Sequence, residues 1–293
     1  GILLTWAGNL RSEDWPAFRG ADGSGISLER NVPTTWGLAK NIRWKAKLPA
    51  PGNSSPIVSR GRVFVTCATD AGKKRGLYCF DRADGRLLWV RIVAHDHEEW
   101  THQTNPYCAS TPVTDGERVV VRHGTPGLFC YDFDGRELWS RDLGEFRHVY
   151  GYASSPNIYR GKVILNFGPG VRTFLIAVAL KTGEVLWKTD EPGGNSTRQP
   201  KIIGSFSTPV IARSGEKDQV LCSMPRRVVA CDPETGAMLA PDVVGIPPLV
   251  ELPRLLGASA NLERDAESDD ELRLLLDAGS SLGGARPKAQ VLD

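Results

Sequence analysis

Short apolar runs rich in β-branched side chains recur along the chain, each bounded by polar or turn-forming residues. Arg62-Val63-Phe64-Val65-Thr66, Arg118-Val119-Val120-Val121, Lys162-Val163-Ile164-Leu165 and Gln219-Val220-Leu221 are of this kind. Their length and composition predict strands rather than helices. Ahead of each stands a Ser/Thr-Pro step: Ser54-Ser55-Pro56, Ser110-Thr111-Pro112, Ser154-Ser155-Pro156 and Ser207-Thr208-Pro209. Behind each stands a closing hairpin, with Asp84-Gly85 before Leu88-Trp89, Asp134-Gly135 before Leu138-Trp139, Thr182-Gly183 before Leu186-Trp187 and Thr235-Gly236 before Leu239-Ala240. A glycine between two apolar runs accepts the positive φ of a tight hairpin turn. The prolines are 56, 44 and 53 residues apart, so one unit of roughly fifty residues is repeated four times.

Units of this size cannot bury their faces alone and stack on their neighbours. About four strands fit in each, and radial repetition is the economical architecture. The expected fold is all-β, a β-propeller with four recognisable four-stranded blades. Four is the low limit for such rings, so this one reads as incomplete. Trp89, Trp139 and Trp187 stand near the end of each outer strand, where a large flat indole fills the gap between adjacent sheets, and they are expected to be structural docking residues. Asn41-Ile42-Arg43-Trp44-Lys45 is expected to be a lone outer strand that completes the last blade on ring closure.

The closing segments follow an eleven-residue pattern, Ala-x-Asp-x-x-Thr-Gly-x-x-x-Trp. Cys79-x-Asp81-x-x-Asp84-Gly85-x-x-x-Trp89 matches it closely. Cys130 to Trp139 is one residue shorter, Ala177 to Trp187 has Ala179 in place of Asp, and Ala230-x-Asp232-x-x-Thr235-Gly236 ends in Ala240. This resembles the PQQ-type, quinoprotein-like β-propeller repeat family, which includes cofactor-free relatives of the BamB type, and the likeness covers about residues 40–240. Asp14-Trp15-Pro16-Ala17-Phe18-Arg19-Gly20 is also similar to the opening of secreted planctomycete-type propeller proteins.

The resemblance implies two functional classes. One is a cofactor-free scaffold whose loops bind a protein, peptide or glycan. The other is a quinoprotein dehydrogenase of alcohols or sugars, in which PQQ stacks on a Trp, calcium polarises it and an Asp removes the substrate proton. Such enzymes resemble one another in an adjacent Cys-Cys disulfide and a Glu/Asn/Asp calcium set. The chain has no Cys-Cys pair and no recognisable set, so the scaffold is expected.

Composition narrows the setting. With 41% hydrophobic and 24% charged residues the chain is that of a soluble globular protein, and a net charge of +2 gives no reason to expect a nucleic-acid partner. No run approaches the roughly 18–20 apolar residues of a membrane span. Charge is unevenly spread: residues 241–293 hold five Lys/Arg against ten Asp/Glu, leaving 31 against 24 on residues 1–240. The chain therefore divides into an N-terminal segment, 1–25, repeats over 26–240, and an acidic Pro/Leu-rich tail over 241–293. In the tail Ser268-Asp269-Asp270-Glu271 has the form of a helix capping box, and a native appendage, a disordered tail and a reading-frame change all remain open. Gly1 to Gly8 reads as the end of a signal peptide, which points to the periplasm, the cell surface or secretion.

Six cysteines lack zinc-finger spacing. Cys67 with Cys79, and Cys222 with Cys231, fall on neighbouring strands where disulfides are conceivable, but the preferred reading is small buried thiols. The insertion Val93 to Asn105 gathers three of the five histidines. His95, His97 and His102 are weak candidates for a metal site, against the preferred reading of a polar loop at the rim. His102 and Asn105 are candidates to hydrogen-bond across the mouth of the axial channel, and Arg147 and Arg172 to present guanidinium groups to an anionic ligand. The Gly-rich loops 166–172 and 190–195 lack the Lys and helix of a Walker loop and the context of a dinucleotide unit, so no nucleotide site is expected.

Overall fold

The computed structural model describes residues 13–239 apart from 31, 38, 97, 98, 100, 171, 192–203 and 226. The described residues form fifteen strands and one short 3-10 turn, Asp70–Gly72. In blade 1, β1 to β4 are Ile57–Ser59, Arg62–Thr69, Lys74–Asp81 and Leu87–Ala94. In blade 2, β5 to β8 are Val113–Thr114, Arg118–Arg122, Leu128–Asp132 and Glu137–Arg141. In blade 3, β9 to β12 are Asn157–Tyr159, Lys162–Phe167, Phe174–Ala179 and Val185–Asp190. In blade 4, β13 to β15 are Val210–Ser214, Lys217–Met224 and Arg227–Cys231. Each sheet is an antiparallel meander in sequence order. The expected all-β propeller, with open sheets in an incomplete ring, is therefore what the chain forms. Blade 4 shows three strands among the described residues. A single isolated bridge joins Cys231 to Met238 after the hairpin.

Alternation along the second strand of each blade sends side chains to both faces. In blade 2, Val119 and Val121 meet Phe64, Leu77 and Cys79 of blade 1, whereas Val120 joins Val163, Leu165 and Phe167 of blade 3. In blade 3, Ile164 points the other way, into a cluster with Val220, Cys222 and Met224 of blade 4. The core is thus a series of layers between blades, and each layer needs two neighbours to exist.

A second periodicity locks the layers. Trp89 Nε1 donates to Phe133 O (2.9 Å), Trp139 Nε1 to Leu180 O (2.9 Å) and Trp187 Nε1 to Pro233 O (3.1 Å), in each case in the hairpin of the following blade. Trp44 does the same toward blade 1, donating to Arg82 O at 2.8 Å. Every indole lies on the hairpin glycine. A Cβ on Gly85, Gly135, Gly183 or Gly236 would stand 2.5–2.7 Å from an indole carbon. These glycines have φ between +70 and +80°.

Each outer strand also carries a bulge at the residue before its Trp. Cys79 faces Trp89 while Phe80 faces Leu87, and the same shift leaves Leu138 and Leu186 unpaired in blades 2 and 3. Such a bulge re-aims the next side chain. It turns the indole toward the neighbouring blade, and the residue opposite it is small: Cys79, Cys130 or Ala177.

The segment around Trp44 differs from expectation. No strand forms over 41–48, although Trp44, Ala46, Leu48 and Ala50 alternate inward against Val63, Cys67, Tyr78 and Phe80. The extended side-chain pattern is there, but among the described residues the segment pairs with no strand, so no hydrogen-bonded ladder is seen over it.

All six cysteines are free and buried, in agreement with the preferred reading. The expected helix near residue 268 and the tail as a whole lie outside the described residues.

Candidate functional site: the loop face

In a four-stranded meander the connections between second and third strands, and those from one blade to the next, leave by the same edge. Residues 70–73, 123–127 and 168–173 and the linkers 95–112 and 142–156 therefore share one face of the molecule. The tight turns 60–61, 82–86 and 133–136 form the other. His95, His102, Asn105, Arg147 and Arg172 all belong to the loop face. His97 belongs to the same linker but lies outside the described residues.

The Ser/Thr-Pro steps hold the linkers in place. Ser55 N donates to Thr111 Oγ1 (3.0 Å), Thr111 N to Ser155 Oγ (2.9 Å) and Ser155 N to Thr208 Oγ1 (3.0 Å). The hydroxyl residue of one blade thus receives the amide of the blade before it, a belt of hydrogen bonds at the entry to the inner strands. Sequence reasoning used this step only to count units.

Above the belt the linkers are tied to one another. Asn105 Nδ2 donates to Tyr150 O (2.8 Å) and Tyr152 O (3.1 Å), which joins the first linker to the second. His102 Nδ1 lies 2.9 Å from Thr104 Oγ1, and its exposed ring is 5.6 Å from that of Tyr150. Tyr150 is 5.7 Å from His148, which is 5.2 Å from Phe206 in an edge-on contact. An aromatic row therefore crosses the loops of three successive blades. Arg147 is exposed beside it. Gly170 brings the backbone of loop 168–173 against Arg147 O, where a Cβ would stand only 2.7 Å away. Arg172 follows in the same loop. Its guanidinium lies over Phe167 and Phe174, 5.5 and 5.6 Å from the ring centres. It also lines a cavity of about 320 Å³ with Asp142, Phe174, Ile176, Val185 and Lys188.

Beneath the row lies a buried polar layer that the sequence did not disclose. Arg75 Nη1 pairs with Glu99 Oε2 at 3.0 Å, both side chains almost wholly buried, and Thr125 N donates to the same oxygen at 2.8 Å. Arg75 also donates to Gly72 O and His123 O. Burial, followed by the Arg75 charge, pushes His123 down to about 3, so its imidazole is neutral. Glu99 sits in the His- and carboxylate-rich stretch 93–105, but nothing in that stretch pointed to Arg75 as its partner.

The described residues contain no group of three His, Cys, Asp or Glu arranged to hold a metal ion. The six thiols are all free: two lie in blade 1, one in blade 2, two in blade 4 and Cys108 in the first linker. No described helix is long and apolar enough to cross a membrane.

Four blade units joined by indole-on-glycine contacts, with linkers gathered on one face, define a quinoprotein-like β-propeller. The family model for the outer membrane protein assembly factor BamB matches residues 38–106 and 91–248, and the chain belongs to that family. The chain is 22% identical over 179 residues to tetrathionate hydrolase of Acidithiobacillus ferrooxidans, a match covering 59% of this chain and 34% of the relative. Two solved structures share the fold. Quinohemoprotein alcohol dehydrogenase ADHIIG of Pseudomonas putida superposes with a TM-score of 0.54 at 18% identity, covering 78% of this chain and 39% of its own. The quinohemoprotein alcohol dehydrogenase of Comamonas testosteroni gives 0.52 at 15% identity, with 78% and 40% covered. The chain thus spans well under half the length of these relatives.

Proposed function

We propose that the protein is a periplasmic, cell-surface or secreted binding scaffold that engages a protein, peptide or glycan through its loop face. The observation that carries this reading is the row of exposed His102, Tyr150 and Phe206 rings, linked through the buried His148, with Arg147 exposed beside it and Arg172 on the same loop face. Aromatic rings with adjacent guanidinium groups give large contact area together with directed charge, the mixture that concentrates binding energy at protein surfaces. Such a surface fits an anionic partner that also carries apolar groups. His95, His97 and His102 remain a weaker metal reading of the same linker.

The test is an array of acidic peptides and of uronic-acid glycans probed with the purified full chain. Binding is expected to weaken at least tenfold in Tyr150→Ala and in Arg147→Ala and to be unchanged in the turn-face variant Arg86→Ala. Binding that survives both loop-face changes but is lost with Arg86→Ala would reverse the assignment. The second reading, a PQQ- and calcium-dependent dehydrogenase, rests on the fold shared with two alcohol dehydrogenases. Saturable quenching of PQQ fluorescence in the presence of calcium, together with dye reduction by an alcohol, would establish it and displace the scaffold.

A further inference from the structure

Two guanidinium groups, Arg75 and Arg122, are buried beneath the loop face, and Glu99 is the buried carboxylate beside them. Arg75 takes it, through the 3.0 Å ion pair. Arg122 is left with no carboxylate within ion-pairing distance among the described residues. Its Nη1 donates to Asn166 O at 3.2 Å and makes a long contact to Ser154 O at 3.5 Å. Its Nε and Nη2 have no protein partner, although the residue is only 1% exposed.

The surroundings are apolar on three sides. The rings of Phe146, Tyr152 and Phe167 lie 5.0, 5.2 and 5.0 Å from the Arg122 Cζ. Cation–π attraction offsets part of the desolvation but supplies no acceptor for the two unpaired donors. Burial lowers the guanidinium only to about 10, so it stays charged at neutral pH. His123, next along the chain, is neutral and brings no negative charge. A buried cation without a counter-charge is among the costliest arrangements a protein interior can contain.

The hydroxyl of Ser154, fully buried, also has no partner, although the carbonyl of the same residue meets Arg122 Nη1. Asn166 Oδ1 is unpartnered too, but it is an acceptor, and its amide is committed to Ser205 O and Ser207 O. Arg122 Nε–H, Arg122 Nη2–H and Ser154 Oγ–H are thus unpaired donors, as is the ring N–H of the neutral His123 next along the chain. The Arg122 and Ser154 donors stand between blades 2 and 3, under the linker that carries Arg147 and Tyr150.

We propose that Arg122, with the Ser154 hydroxyl, holds a small inorganic monoanion of the chloride class in the interface between blades 2 and 3. A monatomic halide is the most compact kind of anion that can accept several donors at once, which suits the near-complete burial of Arg122. The single charge matches the two guanidinium groups and one carboxylate of the layer. A bound ion would fix the linker 142–156 from below and so set the geometry of the aromatic row.

The experiment is thermal melting of the full chain at constant ionic strength, with sodium gluconate replaced stepwise by sodium bromide. Ligand that binds only the folded state raises the melting temperature with its logarithm. Each tenfold increase above the dissociation constant is expected to add roughly 3–5 °C in the wild type, and the slope is expected to vanish in Arg122→Met. Crystals grown in bromide should show anomalous density within hydrogen-bonding distance of Arg122 Nε. That measurement stands even where Arg122→Met does not fold. Melting indifferent to bromide, a slope unchanged in Arg122→Met, or water in place of bromide density at Arg122 would each overturn the proposal.

Discussion

The indole of Trp89 in blade 1 lies flat on Gly135 of blade 2, so close that a Cβ there would stand 2.7 Å from its Cδ2 atom. Its Nε1 donates to Phe133 O, two residues earlier in the same hairpin. The Arg91 guanidinium, two residues after the Trp, donates to Gly135 O. Arg141 and Thr189 repeat that contact on Gly183 O (2.7 Å) and Gly236 O (2.6 Å). Each glycine thus answers two separate demands, a left-handed backbone and a surface with no side chain.

Gly135→Ala tests both demands at once, and Gly61→Ala isolates the first. Gly61 has φ +78°, and nothing lies within 4 Å of its missing Cβ. Gly61→Ala is expected to cost about 1 kcal/mol from backbone strain, and Gly135→Ala about 2–4 kcal/mol because the indole must also move. Urea denaturation of the two variants measures the difference, which should be lost if Trp89 is also truncated.

Trp139→Phe keeps most of the buried ring and removes the donor to Leu180 O. Lost packing and a buried carbonyl without its partner together predict a loss of about 1–3 kcal/mol in chemical denaturation.

Burial pushes the thiols of Cys108, Cys130, Cys222 and Cys231 up to about 12 and that of Cys79 to about 11, and it raises Cys67 as well. A thiol is nucleophilic only as thiolate. The native protein at pH 8 is expected to show almost no reaction with a disulfide reagent, and all six thiols should react once it is unfolded. A fast-reacting thiol in the native state would contradict the burial of the blade interfaces.

The neutral buried His123 makes stability depend on pH. Its folded value, about 3, lies below the ordinary 6.5, so between these limits the unfolded chain binds the extra proton. Stability from this group is therefore full above about pH 6.5 and falls as the pH drops toward 3, with a limiting slope near 1.4 kcal/mol per pH unit. His123→Phe is expected to flatten the dependence of urea denaturation between pH 6 and 4 relative to the wild type.

Asp14 fastens the N-terminal segment to blade 1, accepting from Ser59 Oγ (2.9 Å) and Arg60 N (3.1 Å). Trp15 then bridges to Val58, Pro16 O accepts from Thr114 N, Ala17 joins the core between blades 2 and 3, and Gly23 approaches Val210 of blade 4. The segment thus touches the first strands of blades 1, 2 and 4 and the core between blades 2 and 3. Asp14→Ala is expected to cost about 1 kcal/mol by denaturation, and Asp14→Asn to recover part of it.

Much of this was legible in the residue pattern. The Gly-to-Trp hairpins at 85–89, 135–139 and 183–187 are local: the turn chemistry, the bulge and the indole lie within a few residues of one another. The Trp44 segment shows the limit of that reading. Its alternation reads as a strand, yet a strand exists only where a second backbone supplies the ladder. The same limit hid the Ser/Thr-Pro belt, in which Thr111 and Ser155 bond across 44 residues. The aromatic row was invisible for a similar reason, since Tyr150 and Phe206 belong to separate linkers and carry no motif.

The amino-acid order alone determined the blades, because strand length, hairpin turns and the spacing of tryptophans depend on near neighbours in the chain. Only the tertiary structure decided which side chains share a site. Arg75 with Glu99, Arg122 with Ser154, and His102 with Tyr150 come from different linkers or blades, and each pair meets because whole sheets stack. The energetics of those pairs depend on burial, and burial belongs to the assembled layers rather than to any one segment of the chain.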